Sequence, residues 1–261
     1  DILLLLLSSE NGKSKTVAKI LMMDSDFGIY CPSSVELVPA LHVSSLQSQK
    51  ADKTAELPAV VFADCVLNET TAVTELIYWD SANARLCAPL TADNTSDAPK
   101  TARALNLSAA DIEKDGYLEI PITRPLENAV TVNGSEEQPL ELTVWLRYGK
   151  DGLQTKEQCL MIYSSSYLFR LSEAEINHMT VVNNIPDRIC TFYETEPNGA
   201  RGQVLFELIV FPTTERMRRR PSGYVTLAES GTLTYIYRIT EFGARAGISD
   251  EYLETHFSLI Q

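Results

Sequence analysis

A chain of 261 residues with 44% hydrophobic and 22% charged residues has enough apolar material for one large β-domain or two small ones without disulfides. Its formal net charge of −13 argues against nucleic-acid binding over the whole surface, because a phosphate partner needs local positive charge, although one basic patch stays compatible with it. Five cysteines at wide spacings, with no CxxC pair, exclude a zinc ribbon and read as small buried apolar residues in a reducing compartment; one disulfide in a secreted protein is the alternative.

The chain opens on six apolar residues, Ile2 to Leu7. That is far short of the roughly 20 residues that span a bilayer. Asp1 stands where a signal peptide would carry a basic region, so the run reads as a buried strand. Residues 16–30, 35–43 and 57–68 read as strands, with a helix over 59–67 as the alternative for the last. Asp24-Ser25-Asp26 follows the apolar run 20–23. Paired carboxylates there suit either Mg²⁺ in a phosphatase-like or nucleotide-sugar site or, in the plainer reading, a polar turn. The first needs an α/β fold, and alternating helices are missing from the pattern. Residues 92–100, rich in Asp, Asn, Ser, Thr and Pro, read as an exposed loop. Ser108-Ala-Ala-Asp111 resembles a capping box for a helix of at most two turns before Gly116.

From residue 117 onward the pattern is nearly all β. Residues 141–148 alternate strictly. Leu142, Val144, Leu146 and Tyr148 share one face, expected in the core; Glu141, Thr143, Trp145 and Arg147 share the other, expected outside. An exposed Trp145 would be anomalous for a monomer, so a covering segment or a neighbouring subunit is expected over it. Residues 231–240 alternate too, and further strands are expected at 117–123, 159–164, 167–171, 189–193, 203–211 and 224–228. Asn133-Gly134, Asp151-Gly152, Asn198-Gly199 and Ser230-Gly231 supply turns between them. Ser172-Glu-Ala-Glu175 and Ser249-Asp250 each start a short helix.

These spacings define an all-β chain, an antiparallel sandwich, jelly roll or barrel with a few short helices, in two packed sheets. The expected organisation is an N-terminal arm or edge segment over 1–34, a β-sandwich over 35–247 and a C-terminal arm over 248–261. Both terminal segments are rich in apolar residues and are expected to be ordered chiefly by contacts outside their own domain.

No catalytic constellation emerges. His42, His178 and His256 stand in unrelated contexts, without HExxH or GxSxG, although a triad can assemble across a fold. Gly243-Ala-Arg-Ala-Gly247 lacks the lysine of a phosphate loop. Neither an enzyme activity nor a cofactor or metal is expected. Arg216, Arg218, Arg219 and Arg220 form the sharpest charge feature of an acidic chain. They suit contact with RNA, pairing with an acidic neighbouring subunit, or a solvated loop. Four sequons, at Asn68, Asn94, Asn106 and Asn133, matter only on a secretory route.

A nearly all-β chain of 29.0 kDa that lacks an initiator Met and ends in Gln, as after cleavage by a Gln-specific viral protease, resembles a capsid protein of the picorna-like viruses, in particular of the Nora virus group. The runs 203–211, 224–228 and 231–240 resemble the closing strands of a jelly roll. The resemblance implies a structural subunit of an icosahedral virion. It would assemble with other coat subunits around the genome in the host cytoplasm, with weak RNA contact at most, no membrane span and an unknown receptor. The alternative is a secreted or cell-surface β-sandwich for adhesion or carbohydrate binding.

Overall fold

Period-two patterning dominates the molecule: in this computed structural model 59% of the chain is strand and 11% helix, so the β class holds. The structure describes residues 2–10, 13–49, 60–215 and 221–260. Contacts divide the chain into two units, Asp1–Thr123 with Val144–Lys156, and Arg124–Thr143 with Glu157–Gln261.

The first unit begins with a three-stranded antiparallel meander, β1 (Ile2–Glu10), β2 (Lys13–Met23) and β3 (Ile29–Leu37). A second sheet follows, in the order β4 (His42–Gln49), β5 (Val60–Val66), β6 (Thr71–Asp80) and β7 (Arg85–Cys87). A two-residue strand, β8 (Arg103–Ala104), pairs with β6, and one turn of helix, α1 (Thr91–Asn94), precedes it. The run around Val60–Val66 is therefore strand and not helix. It is seven residues long and carries Val60, Val61, Phe62 and Val66, and such branched and aromatic side chains suit a pleated surface better than a helical turn.

The two sheets of this unit share a core of Ala18, Ile20 and Leu37 against Ala63, Cys65, Val73, Ile77 and Leu86. The opposite face of β5 and β6 is closed by Leu90, Ala109, Leu118 and Ile120 over Val60, Phe62 and Leu76. Burial of a side chain such as Phe62 is worth about 1.5–3 kcal/mol. Being covered on both faces, β6 brings polar residues inside, and they are satisfied internally. Asp64 accepts from Arg103 Nη2 and, at 2.7 Å, from Thr74 Oγ1; Arg103 Nε donates to Leu107 O at 2.9 Å. Asn94 Nδ2 donates to Thr74 O at 3.0 Å, and Thr101 Oγ1 donates to Asn94 Oδ1 at 2.8 Å.

The remaining strands are β9 (Ile120–Asn133), β10 (Glu136–Gly149), β11 (Gly152–Ile162), β12 (Tyr167–Arg170), β13 (Met179–Asn184), β14 (Ile189–Thr195), β15 (Arg201–Pro212), β16 (Val225–Glu229), β17 (Leu233–Ile239) and β18 (Phe257–Leu259). They form one mixed sheet in the order β16-β17-β15-β14-β13-β9-β10-β11-β12-β18, with β13 parallel to β9. The sheet curls into a half-barrel. Tyr167 on β12, near one end of the order, meets Tyr235 on β17, near the other, with ring centroids 6.1 Å apart. Phe169, Phe192, Phe206 and Phe257 extend this aromatic core within the second unit. Among the described residues of this unit, the α-helices flanking the strands are α2 (Glu173–Ile176), α3 (Glu241–Arg245) and α4 (Asp250–His256), all short.

Several expectations are corrected. The described residues form three sheets, not two. Ser108 does not cap a helix; Asp111 instead accepts from the backbone N–H groups of Asp115 and Gly116 and closes a turn, while Ala110 bridges to Glu119. Thr143 and Arg147, expected outside, are buried with the rest of the β10 interior, because a central strand covered on both faces has no solvent side. The terminal segments also have partners within their own units. β1 pairs with β2 along its length and sends Leu3 and Leu5 into its own unit's core; β18 pairs with β12 within the second unit.

Candidate interaction surface

The register of the first sheet fixes which side chains share a face. Ile2, Leu4 and Leu6 of β1 stand opposite Leu21, Lys19 and Val17 of β2, while Leu3, Leu5 and Leu7 stand opposite Ile20, Ala18 and Thr16. Since Ala18 and Ile20 are buried, Leu3 and Leu5 face the core and Ile2, Leu4 and Leu6 face away from it, while Leu7, towards the far end of the strand, is 42% exposed. A one-sided sheet is ordinarily polar on its outer face. Here that face carries Ile2, Leu4, Leu6, Val17 and Leu21, with Met23 and its cross-strand partner Ile29 at the hairpin end. Ile2, Leu6, Met23 and Ile29 are between 43% and 72% exposed. Lys19 stands amid these apolar residues, between Leu4 and Ser34, and Glu36 lies opposite Val17.

The hairpin end is tightly built. Asp24 Oδ1 accepts from the N–H groups of Asp26 and Gly28 at 2.9 and 2.7 Å, so the Asp24-Ser25-Asp26 motif is a turn. A Cβ at Gly28 would lie 2.7 Å from the Asp24 carboxylate. Phe27 adopts the left-handed conformation at φ 61° and projects its ring into solvent at 80% exposure. β1 is also the edge of its sheet among the described residues, and Ile2 to Ser9 carry no charge, proline or other device that normally blunts a strand edge.

No protein-family model and no curated protein matches this chain. The surface must therefore be read from its own chemistry.

Two polar clusters are structural. Glu113, Asp115 and Glu119 place carboxylate oxygens within 4.8 Å of one another, but the cation among them is Arg147. Its guanidinium donates to Glu113 at 3.0 Å, to Asp115 at 3.1 Å and, through Nε, to Glu119 at 2.7 Å. Burial pushes the Glu119 carboxyl up, against the lowering pull of Arg147. Glu75, also raised by burial, accepts from Thr91 Oγ1 at 2.8 Å inside the Asn94–Thr101 network.

Other residues singled out in the sequence do not converge. Arg216, Arg218, Arg219 and Arg220 lie outside the described residues. Trp145 is 7% exposed and is covered by the chain itself. His42 and His178 are exposed in different units, and His256 stacks on Tyr252 with centroids 4.0 Å apart. None of the five cysteines forms a disulfide; Cys31 is exposed and Cys87 half-buried, against the expectation of burial, whereas burial pushes the thiols of Cys65 and Cys190 up to about 12, which leaves them inert. Asn94 of the second sequon is buried and hydrogen-bonded on both sides of its amide, so that sequon presents no acceptor. No helix among the described residues is long and apolar enough to cross a membrane.

The outer face was legible only in part. The leucine run is plain in the sequence, but a strand buried on both faces and a strand with one open apolar face produce the same run.

Proposed function

We infer that the chain is a structural subunit of a larger protein assembly, and in the fullest form of the reading a coat subunit of an icosahedral virion. The observation that supports it is the outer face of β1–β3, which exposes branched and aliphatic side chains where a self-sufficient domain presents polar ones. Such a face calls for a protein neighbour. The free, undefended edge of β1 beside it supports the same conclusion.

A jelly roll has two Greek keys of four strands each. The ten-stranded sheet runs mostly between sequence neighbours, so the reading rests on the open face and edge and not on kinship of fold. Buried, internally satisfied polar clusters such as Asp64–Arg103 suit a rigid building block. The test is to isolate the full chain in its native complex, or to produce it with the other subunits of that complex, and to examine the product by sedimentation and electron microscopy. The chain is expected in particles of defined size; recovery only as free 29.0 kDa protein beside particles made of the others would refute the reading.

A further inference from the structure

We propose that the neighbour covering the outer face of β1–β3 is the same face of a second copy of this chain, stacked across a two-fold axis. The proposal rests on the assembly reading above and names the partner of that surface.

The first ground is area. Ile2, Leu6, Met23 and Ile29 are 43–72% exposed, Leu4, Val17 and Leu21 are half-buried on the same side, and Phe27 at the hairpin tip beside them is 80% exposed. At roughly 200 Å² per large side chain, the open apolar surface is about 700 Å² per copy, close to the roughly 800 Å² that each partner brings to a standard interface. A sheet face is the shape that another sheet face covers, at about 10 Å spacing, with side chains interdigitating.

The second ground is charge. The face carries both signs, Lys15 and Lys19 on β2 and Glu36 on β3, with Lys15 paired to Glu36 along one side. A two-fold interface is self-complementary by construction, each patch meeting itself. A face of one sign would repel its copy, whereas here the Lys19 ammonium of one copy has the Glu36 carboxylate of the other as an acidic counterpart on the same surface. An anionic lipid surface would instead want a basic rim without acids, and Asp24, Asp26 and Glu36 surround this one.

The test is sedimentation equilibrium of the full chain and of the variant carrying Leu6→Lys and Met23→Lys. Both side chains are exposed, so the substitutions leave the core alone, and hydrogen exchange in β5 and β6 of the same unit checks that the fold is kept. The wild type is expected to dimerise and the variant to associate at least a hundredfold more weakly. Equal association of wild type and variant would overturn the proposal while leaving the assembly reading intact. A wild-type chain that stays monomeric alone yet enters particles with other coat proteins would do the same. A chain that is monomeric alone and in their presence overturns both. Flotation with phosphatidylcholine–phosphatidylserine vesicles in place of dimerisation, lost on Phe27→Glu, would assign the surface to a membrane and overturn the proposal.

Discussion

Replacing Arg103 by Met should unfold the first unit far more easily, because it strands a charge. The Asp64 side chain is 2% exposed and that of Arg103 is fully buried. Without the guanidinium, Asp64 keeps, among the described residues, Thr74 Oγ1 at 2.7 Å and the backbone N–H of Ala109 at 3.3 Å, while Leu107 O and Thr101 O lose the Arg103 donor. Removing one partner of a buried pair costs about 3–5 kcal/mol, a large share of the roughly 5–15 kcal/mol that holds a domain together. The chain's two tryptophans, Trp79 and Trp145, both lie in this unit, so fluorescence during urea unfolding reports on it directly. Replacing both residues, Asp64→Leu with Arg103→Met, should recover most of the loss, because an apolar pair leaves no unpaired charge. A single-variant loss below about 1 kcal/mol, or two losses that simply add, would refute the view of this pair as a coupled buried unit.

Glu75→Gln should stabilise the first unit at neutral pH. Burial raises the Glu75 carboxyl, so from about pH 4.3 upward the folded state binds more protons than the unfolded one and stability falls until the folded carboxyl has titrated. The glutamine variant should lack that fall in urea titrations across pH; parallel curves would contradict the assignment. Gly243→Ala should destabilise the second unit although alanine favours a helix by about 1 kcal/mol. Its Cβ would lie 2.0 Å from Leu205 O, and forcing α3 away from β15 costs about 1–3 kcal/mol, also weakening the Thr240 N–H bond to Leu205 O. Thermal unfolding at or above the wild-type midpoint would show that the contact relaxes freely.

Local pattern was enough to place most strands after residue 117. Branched and aromatic residues at period two, punctuated by Asn133-Gly134, Asp151-Gly152, Asn198-Gly199 and Ser230-Gly231, mark the hairpins β9–β10, β10–β11, β14–β15 and β16–β17, with Gly134, Gly152 and Gly199 at positive φ as those turns require. The capping box at Ser172 and Glu175 is present and so is the Ser249 cap. What pattern could not supply is how many layers cover a strand. Thr143 and Arg147 look like solvent-facing residues, yet the acidic side chains at 113, 115 and 119 that make an inward Arg147 tolerable come from a distant segment. Ser108 and Asp111 have the spacing of a cap, but the Ala110–Glu119 bridge takes the backbone elsewhere. The outer face of β1–β3 depended on register. Shifting β1 by one residue against β2 would exchange Leu3 and Leu5 for Leu4 and Leu6 in the core, and a run of five leucines does not choose between them.

Oxidative footprinting of the native assembly tests the central claim most directly. Met23, Phe27 and Tyr30 are exposed in the single chain and react readily with hydroxyl radicals once open to solvent. With the outer face of β1–β3 covered by a protein neighbour, Met23 and Phe27 should be modified several-fold more slowly in the assembled state than in the dissociated chain, while exposed Tyr163, in the second unit, reacts equally in both. Equal modification of Met23 and Phe27 in the two states would contradict the account.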